Sequence, residues 1–76
     1  VRLERTRSGK KGKLVTVIKG LELNKLEAKN LLKTLKILCG TGGTLKSNYL
    51  ELQGDQISKA NDFLLKEGFN PKQIGS

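Results

Sequence analysis

The segment Arg5-Thr6-Arg7-Ser8-Gly9-Lys10-Lys11-Gly12-Lys13 carries five cationic side chains in nine residues. Guanidinium and ammonium groups at this density neutralise phosphates and release the counterions condensed on nucleic acid. Gly9 and Gly12 bracket two of the lysines and let the backbone turn and come close to another surface. The chemistry on offer is phosphate binding by Arg5, Arg7, Lys10, Lys11 and Lys13. A plainer reading of the same residues is a hairpin tip that lysine keeps soluble, and the segment by itself does not separate the two.

Bond-making chemistry has little raw material. The chain holds no histidine, which removes the usual acid–base group of neutral pH and any Ser–His or Cys–His pair. Cys39 is the only cysteine, one ligand where a zinc site needs four, so it reads as a small buried hydrophobe. Glu51 and Asp55 suit a strand surface and a helix cap as well as they suit a carboxylate pair. No enzyme activity, metal or cofactor is expected. Gly40 to Ser47 looks like a phosphate loop, but leucine, not glycine, precedes the Lys-Ser pair, and a helix, not a strand, precedes the loop. Gly9-Lys10-Lys11-Gly12 has the GxxG form of a KH clamp but falls between strands. Tyr49, Phe63 and Phe69 are too scattered to be the stacking residues of an RRM. Backbone and shape recognition of folded RNA therefore fits better than base reading of a single strand.

The elements that position this segment follow from patterning. Val1 to Arg5 alternates apolar and charged residues and Leu14 to Ile18 is β-branched and apolar, so both read as strands joined through a loop from Ser8 to Gly12. Asn24 with Glu27 resembles a capping box, Ala28, Leu31, Leu32, Leu35 and Leu38 recur at helical spacing, and Gly40 supplies the stop. Lys25, Lys29, Lys33 and Lys36 line the opposite side of that helix, either as a solvated face or as a second basic face for phosphate. Gly43 to Lys46 and Tyr49 to Gln53 flank Ser47-Asn48, a two-residue turn in which asparagine tolerates positive φ. Asp55 is placed to cap a second helix containing Ile57, Ala60, Phe63 and Leu64, ended by Gly68. Pro71 restricts a last strand to a sheet edge. The expected fold is α+β, a two-layer α/β sandwich of order ββαββαβ. Its mixed sheet carries both helices on one face, packed through Leu31, Leu35, Leu38, Phe63 and Leu64, and leaves the other face open.

Seventy-six residues support one small domain, here expected over 1–76. Fifteen Lys+Arg against seven Asp+Glu give a formal charge of +8, an excess that calls for an anionic partner or serves solubility. It is unevenly placed: residues 1–13 carry six basic side chains against Glu4, whereas 51–67 carry Glu51, Asp55, Asp62 and Glu67 against Lys59 and Lys66. A lone thiol fits a reducing compartment, no apolar run approaches the roughly 18 residues of a membrane span, and no signal-peptide core opens the sequence. The expectation is a cytoplasmic monomer. Val1 in place of a methionine suggests a piece removed or left out ahead of it.

Three fragments in order, Ser8 to Lys13 with Val15 to Ile18, then Cys39-Gly40-Thr41-Gly42-Gly43-Thr44-Leu45-Lys46, then Leu52-Gln53-Gly54-Asp55-Gln56, closely resemble the Sui family. That family comprises eukaryotic-type translation initiation factor one, its archaeal counterparts and the bacterial YciH-like proteins. The resemblance covers essentially the whole chain, and the Gly-Gly of the middle fragment is more like the bacterial and archaeal members. It implies the α/β sandwich described above and a protein that binds the small ribosomal subunit near the initiator tRNA and helps reject poor start-codon pairing. Other initiation factors would be further partners. It implies that the loop Arg7 to Lys13 lies against ribosomal RNA, and that Gly54, Asp55 and Gln56 match a Gly-Asp-Gln motif tied to stringency of start selection. For Asp55, helix capping alone stays an equal reading. A Sui-type domain acting in recycling, re-initiation or general translation regulation would share the same surface.

Overall fold

In the computed structural model, residues 1–8 and 11–74 are described. Among them the chain forms β1 (Arg2–Ser8), β2 (Lys13–Lys19), α1 (Lys25–Cys39), β3 (Gly43–Leu45), β4 (Tyr49–Gln53), α2 (Ile57–Lys66) and β5 (Lys72–Ile74). This is the ββαββαβ order that the patterning predicts. The strands lie in the order β3-β4-β2-β1-β5, antiparallel throughout except for β5, which runs parallel to β1. Pro71 precedes β5, and β5 is an edge strand, where the missing proline N–H costs no ladder bond.

The register decides which side chains meet the helices. Leu3 faces Ile18 and Ile18 faces Leu50 across the two central ladders, so all three project to one side. With Leu52 they pack against Ala28, Leu32, Leu35 and Cys39 of α1 and Ile57, Ala60 and Leu64 of α2. Val15 and Val17 alternate to the other side, where they are buried without belonging to that cluster. Thr6 and Gln53 flank Val15 across the ladders, and Glu4 and Glu51 flank Val17.

Helix α1 begins as its sequence dictates. The Asn24 side chain accepts from the Glu27 amide at 2.8 Å and the Glu27 carboxylate accepts from the Asn24 amide at 3.2 Å, so both arms of the capping box form. Gly40, at φ 62°, ends it in the left-handed conformation. One core position differs from expectation: Leu38 is 49% exposed, and Cys39 takes the buried place. Buried Ala28, Leu32, Leu35 and Cys39 step by four, three and four, a stripe that passes one residue beyond Leu38. Leu31 and Phe63 pack against the core only partly buried.

Two turns also differ in detail. No positive φ occurs at Asn48; among the described residues Glu22, at φ 54°, is the only non-glycine in that region. Helix α2 starts after Gln56, which makes no side-chain cap bond. Asp55 stands one residue earlier and accepts from the Ile57 amide at 3.3 Å, so it serves the helix start without being its capping residue. Gly68 closes α2, with the Phe69 amide bonded to the Leu64 carbonyl at 2.9 Å.

Candidate nucleic-acid interface

Pairing of β1 with β2 reaches Ser8 and Lys13, so the strands run further toward the tip than alternation alone indicates, and residues 9–12 lie between them. Gly9 and Lys10 lie outside the described residues. Arg5 is the strand residue that the alternation predicts, and Arg7, the first residue of the loop that the resemblance implies, is also in the strand, both on the face that carries Leu3. Each has a partner within the chain. Arg7 donates to the Gly12 carbonyl at 3.0 Å, bracing the left-handed Gly12, whose φ is 58°. Arg5 donates to the Asp55 carboxylate at 3.0 Å. Lys11 and Lys13 are exposed and carry no ion pair among the described residues. On the other face, Lys19 pairs with Glu4 at 3.2 Å.

The Gly54-Asp55-Gln56 turn sits beside this hairpin. Gly54, at φ 82°, turns the chain out of β4, and its amide bonds to the Leu14 carbonyl at 2.9 Å. The Arg5 guanidinium beside Asp55, aided by the Ile57 amide, holds its carboxyl below the ordinary carboxylate range. The Thr16 hydroxyl donates to the Gly54 carbonyl and accepts from the Gln56 amide, both at 2.8 Å. Thr16 is fully buried, and sequence reading passes over it because a threonine inside a β-branched run looks like an ordinary strand former.

Lys25, Lys29, Lys33 and Lys36 are all exposed. Lys25, Lys29 and Lys36 each stand three residues before a buried one, Ala28, Leu32 and Cys39, which puts them on the flank of the packed stripe and not opposite it. Lys25 also lines a broad groove of about 1020 Å³ with Arg2, Lys19, Lys46 and Tyr49, at the end of the β1–β2 ladder away from the tip. The sequence gives no sign of this grouping, because its members come from four separate elements and one turn. Burial pushes the Cys39 thiol up, which disfavours a reactive thiolate. Among the described residues no group of three or more His, Cys, Asp or Glu is placed to hold a metal ion, and no helix is long and apolar enough to cross a membrane.

A five-stranded mixed sheet with both helices on one side and a cationic first hairpin defines the class, a small α+β domain with a basic finger. The family model described as translation initiation factor SUI1 matches residues 1–70, and the chain belongs to that family. It is 52% identical over 75 residues to an uncharacterized protein of Synechocystis, covering 99% of this chain and 68% of that one. A protein translation factor SUI1 homolog of Methanococcus vannielii is 44% identical over 63 residues, 83% of this chain and 62% of the homolog. The uncharacterized protein YciH of Salmonella typhimurium is 40% identical over 75 residues, 99% of this chain and 69% of YciH. The chain thus spans about two thirds of the length of these relatives. Membership joins it to translation initiation and protein biosynthesis.

Proposed function

We propose that this chain acts as a single domain on the small ribosomal subunit in the cytoplasm, beside the initiator tRNA, and helps select the start codon. Its cationic hairpin, through Arg5, Arg7, Gly9, Lys10, Lys11, Gly12 and Lys13, lies against ribosomal RNA phosphates. The Gly54-Asp55-Gln56 turn acts with it. The reading rests on one observation: two side chains from the hairpin strands, Arg5 and Thr16, fasten that turn, so the basic finger and the Gly-Asp-Gln segment form one surface. A finger that occupies space needed by a fully seated tRNA discriminates by repulsion, because correct pairing supplies the binding energy to displace it and a mismatch does not.

Co-sedimentation with isolated small subunits, at roughly 100 mM salt with excess tRNA as competitor, tests the reading. Saturable binding near one copy per subunit is expected, followed by a shift of toeprints toward correctly paired start codons. Binding abolished by the competitor would leave a general basic RNA-binding domain.

A further inference from the structure

Thr16 occupies a core-side position in β2, directly across from Arg5 in β1 and Leu52 in β4. An apolar side chain of the same shape would fill that position without needing partners. A fully buried hydroxyl is tolerated there because both of its hydrogen-bonding roles are used. Its two partners, the Gly54 carbonyl and the Gln56 amide, flank Asp55 on either side. The Gln56 amide precedes the first turn of α2 and its bond is to this hydroxyl, not to a helix carbonyl. Gly54 is the flexible point at which the chain leaves β4. Thr16 therefore grips both ends of a three-residue turn, and Arg5, its cross-strand neighbour, holds the residue between them.

We propose that Thr16 is a positioning residue: its buried hydroxyl fixes the Gly54-Asp55-Gln56 turn against the basic hairpin, so that finger and turn move as one rigid unit. The consequence for start selection rests on the function proposed above. A displacement of the finger by incoming tRNA or RNA reaches the turn through both hairpin strands, by Arg5 of β1 at Asp55 and by Thr16 of β2 at Gly54 and Gln56. Removing the hydroxyl leaves the finger's cations in place and loosens the turn, which then keeps only the Arg5–Asp55 contact and the Gly54–Leu14 backbone bond to the hairpin.

Amide hydrogen exchange on the full chain reads the turn directly. The Gln56 amide is expected to be protected in the parent chain and to exchange about tenfold faster in Thr16→Val, with the Leu35 and Leu50 amides changed much less. Thr16→Ser, which keeps the hydroxyl, should return Gln56 to within about twofold of the parent. In initiation assays Thr16→Val should keep subunit affinity within about twofold and lose several-fold discrimination against near-matched start codons, and Thr16→Ser should keep both. Gln56 exchange as fast in the parent chain as at the exposed turn residues Ser47 and Asn48 overturns the proposal, and so does unchanged exchange in Thr16→Val. If Thr16→Val does not fold, the parent measurement and Thr16→Ser decide: loss of protection in the serine variant assigns the effect to the methyl group and overturns the role of the hydroxyl. A parent chain that fails to bind subunits removes the proposed function instead, and the exchange result still decides the role of Thr16.

Discussion

Arg5 and Asp55, fifty positions apart in sequence, meet at 3.0 Å between guanidinium and carboxylate. The contact joins β1 to the entrance of α2 and lowers the Asp55 pKa, through the Arg5 hydrogen bond first and the Ile57 amide second. A carboxyl whose folded pKa is depressed contributes stability that is fully present above its unfolded value, near 3.9, and is lost as pH falls through the lower folded value. Asp55→Asn should therefore lower the urea midpoint by a constant amount from about pH 5 to pH 8, and the gap to the parent chain should close as pH falls through the lowered folded pKa. Both partners are partly exposed, so the gap should also narrow in high salt. A gap independent of pH would show that the carboxylate charge contributes nothing.

Gly43 is a glycine for steric reasons, not for its φ. A Cβ there would lie 2.7 Å from the Glu51 carbonyl oxygen and 3.1 Å from the Leu32 side chain. The backbone atom gives way only if the β3–β4 pairing moves. Gly43→Ala is expected to destabilise by about 1–3 kcal/mol in chemical unfolding, the cost of overpacking a closely filled site. Gly40 and Gly68 have open space beside them and positive φ, so alanine at either should cost about 1 kcal/mol through backbone conformation alone.

Much of the fold was legible because local chemistry and tertiary packing agree. The Asn24–Glu27 box, the Gly40 stop and the edge placement of β5 each follow from residue type, and each is present. Helix phase was harder to read. Leucines at 31, 32, 35 and 38 define an apolar face too wide to say which edge is buried, and Cys39, a weaker hydrophobic signal than Leu38, takes the inner place. For the candidate site, the basic segment and the Gly-Asp-Gln turn could be read from sequence. Their attachment could not, since it depends on pairings across 38 to 50 positions. Nor could the partners of Arg5 and Arg7, which separate these two cations from Lys11 and Lys13.

The helix phase makes its own prediction. Leu35 is fully buried between α1 and the sheet, whereas Leu38 is about half exposed. Leu35→Ala should cost about 2–5 kcal/mol through lost burial and the cavity left behind, and Leu38→Ala no more than about 0.5 kcal/mol. Comparable losses at the two positions would place the stripe where the leucine spacing alone puts it.

The different attachments of the hairpin cations predict different salt responses on small subunits. Each phosphate neutralised adds about 0.9 to the slope of log affinity against log salt on a duplex. Lys11 and Lys13 have no ion-pair partner among the described residues, so Lys11→Ala and Lys13→Ala should each reduce the slope by about 0.7–0.9, and the pair together by about twice that. The charge of Arg5 is already offset by Asp55. Arg5→Ala should reduce the slope by less than about half as much, while impairing start selection because it releases the turn. Binding measured from about 50 to 200 mM salt separates these cases. Equal slope changes at all three positions would mean that the finger binds as a diffuse cloud of charge, and that the Arg5–Asp55 contact opens on the ribosome.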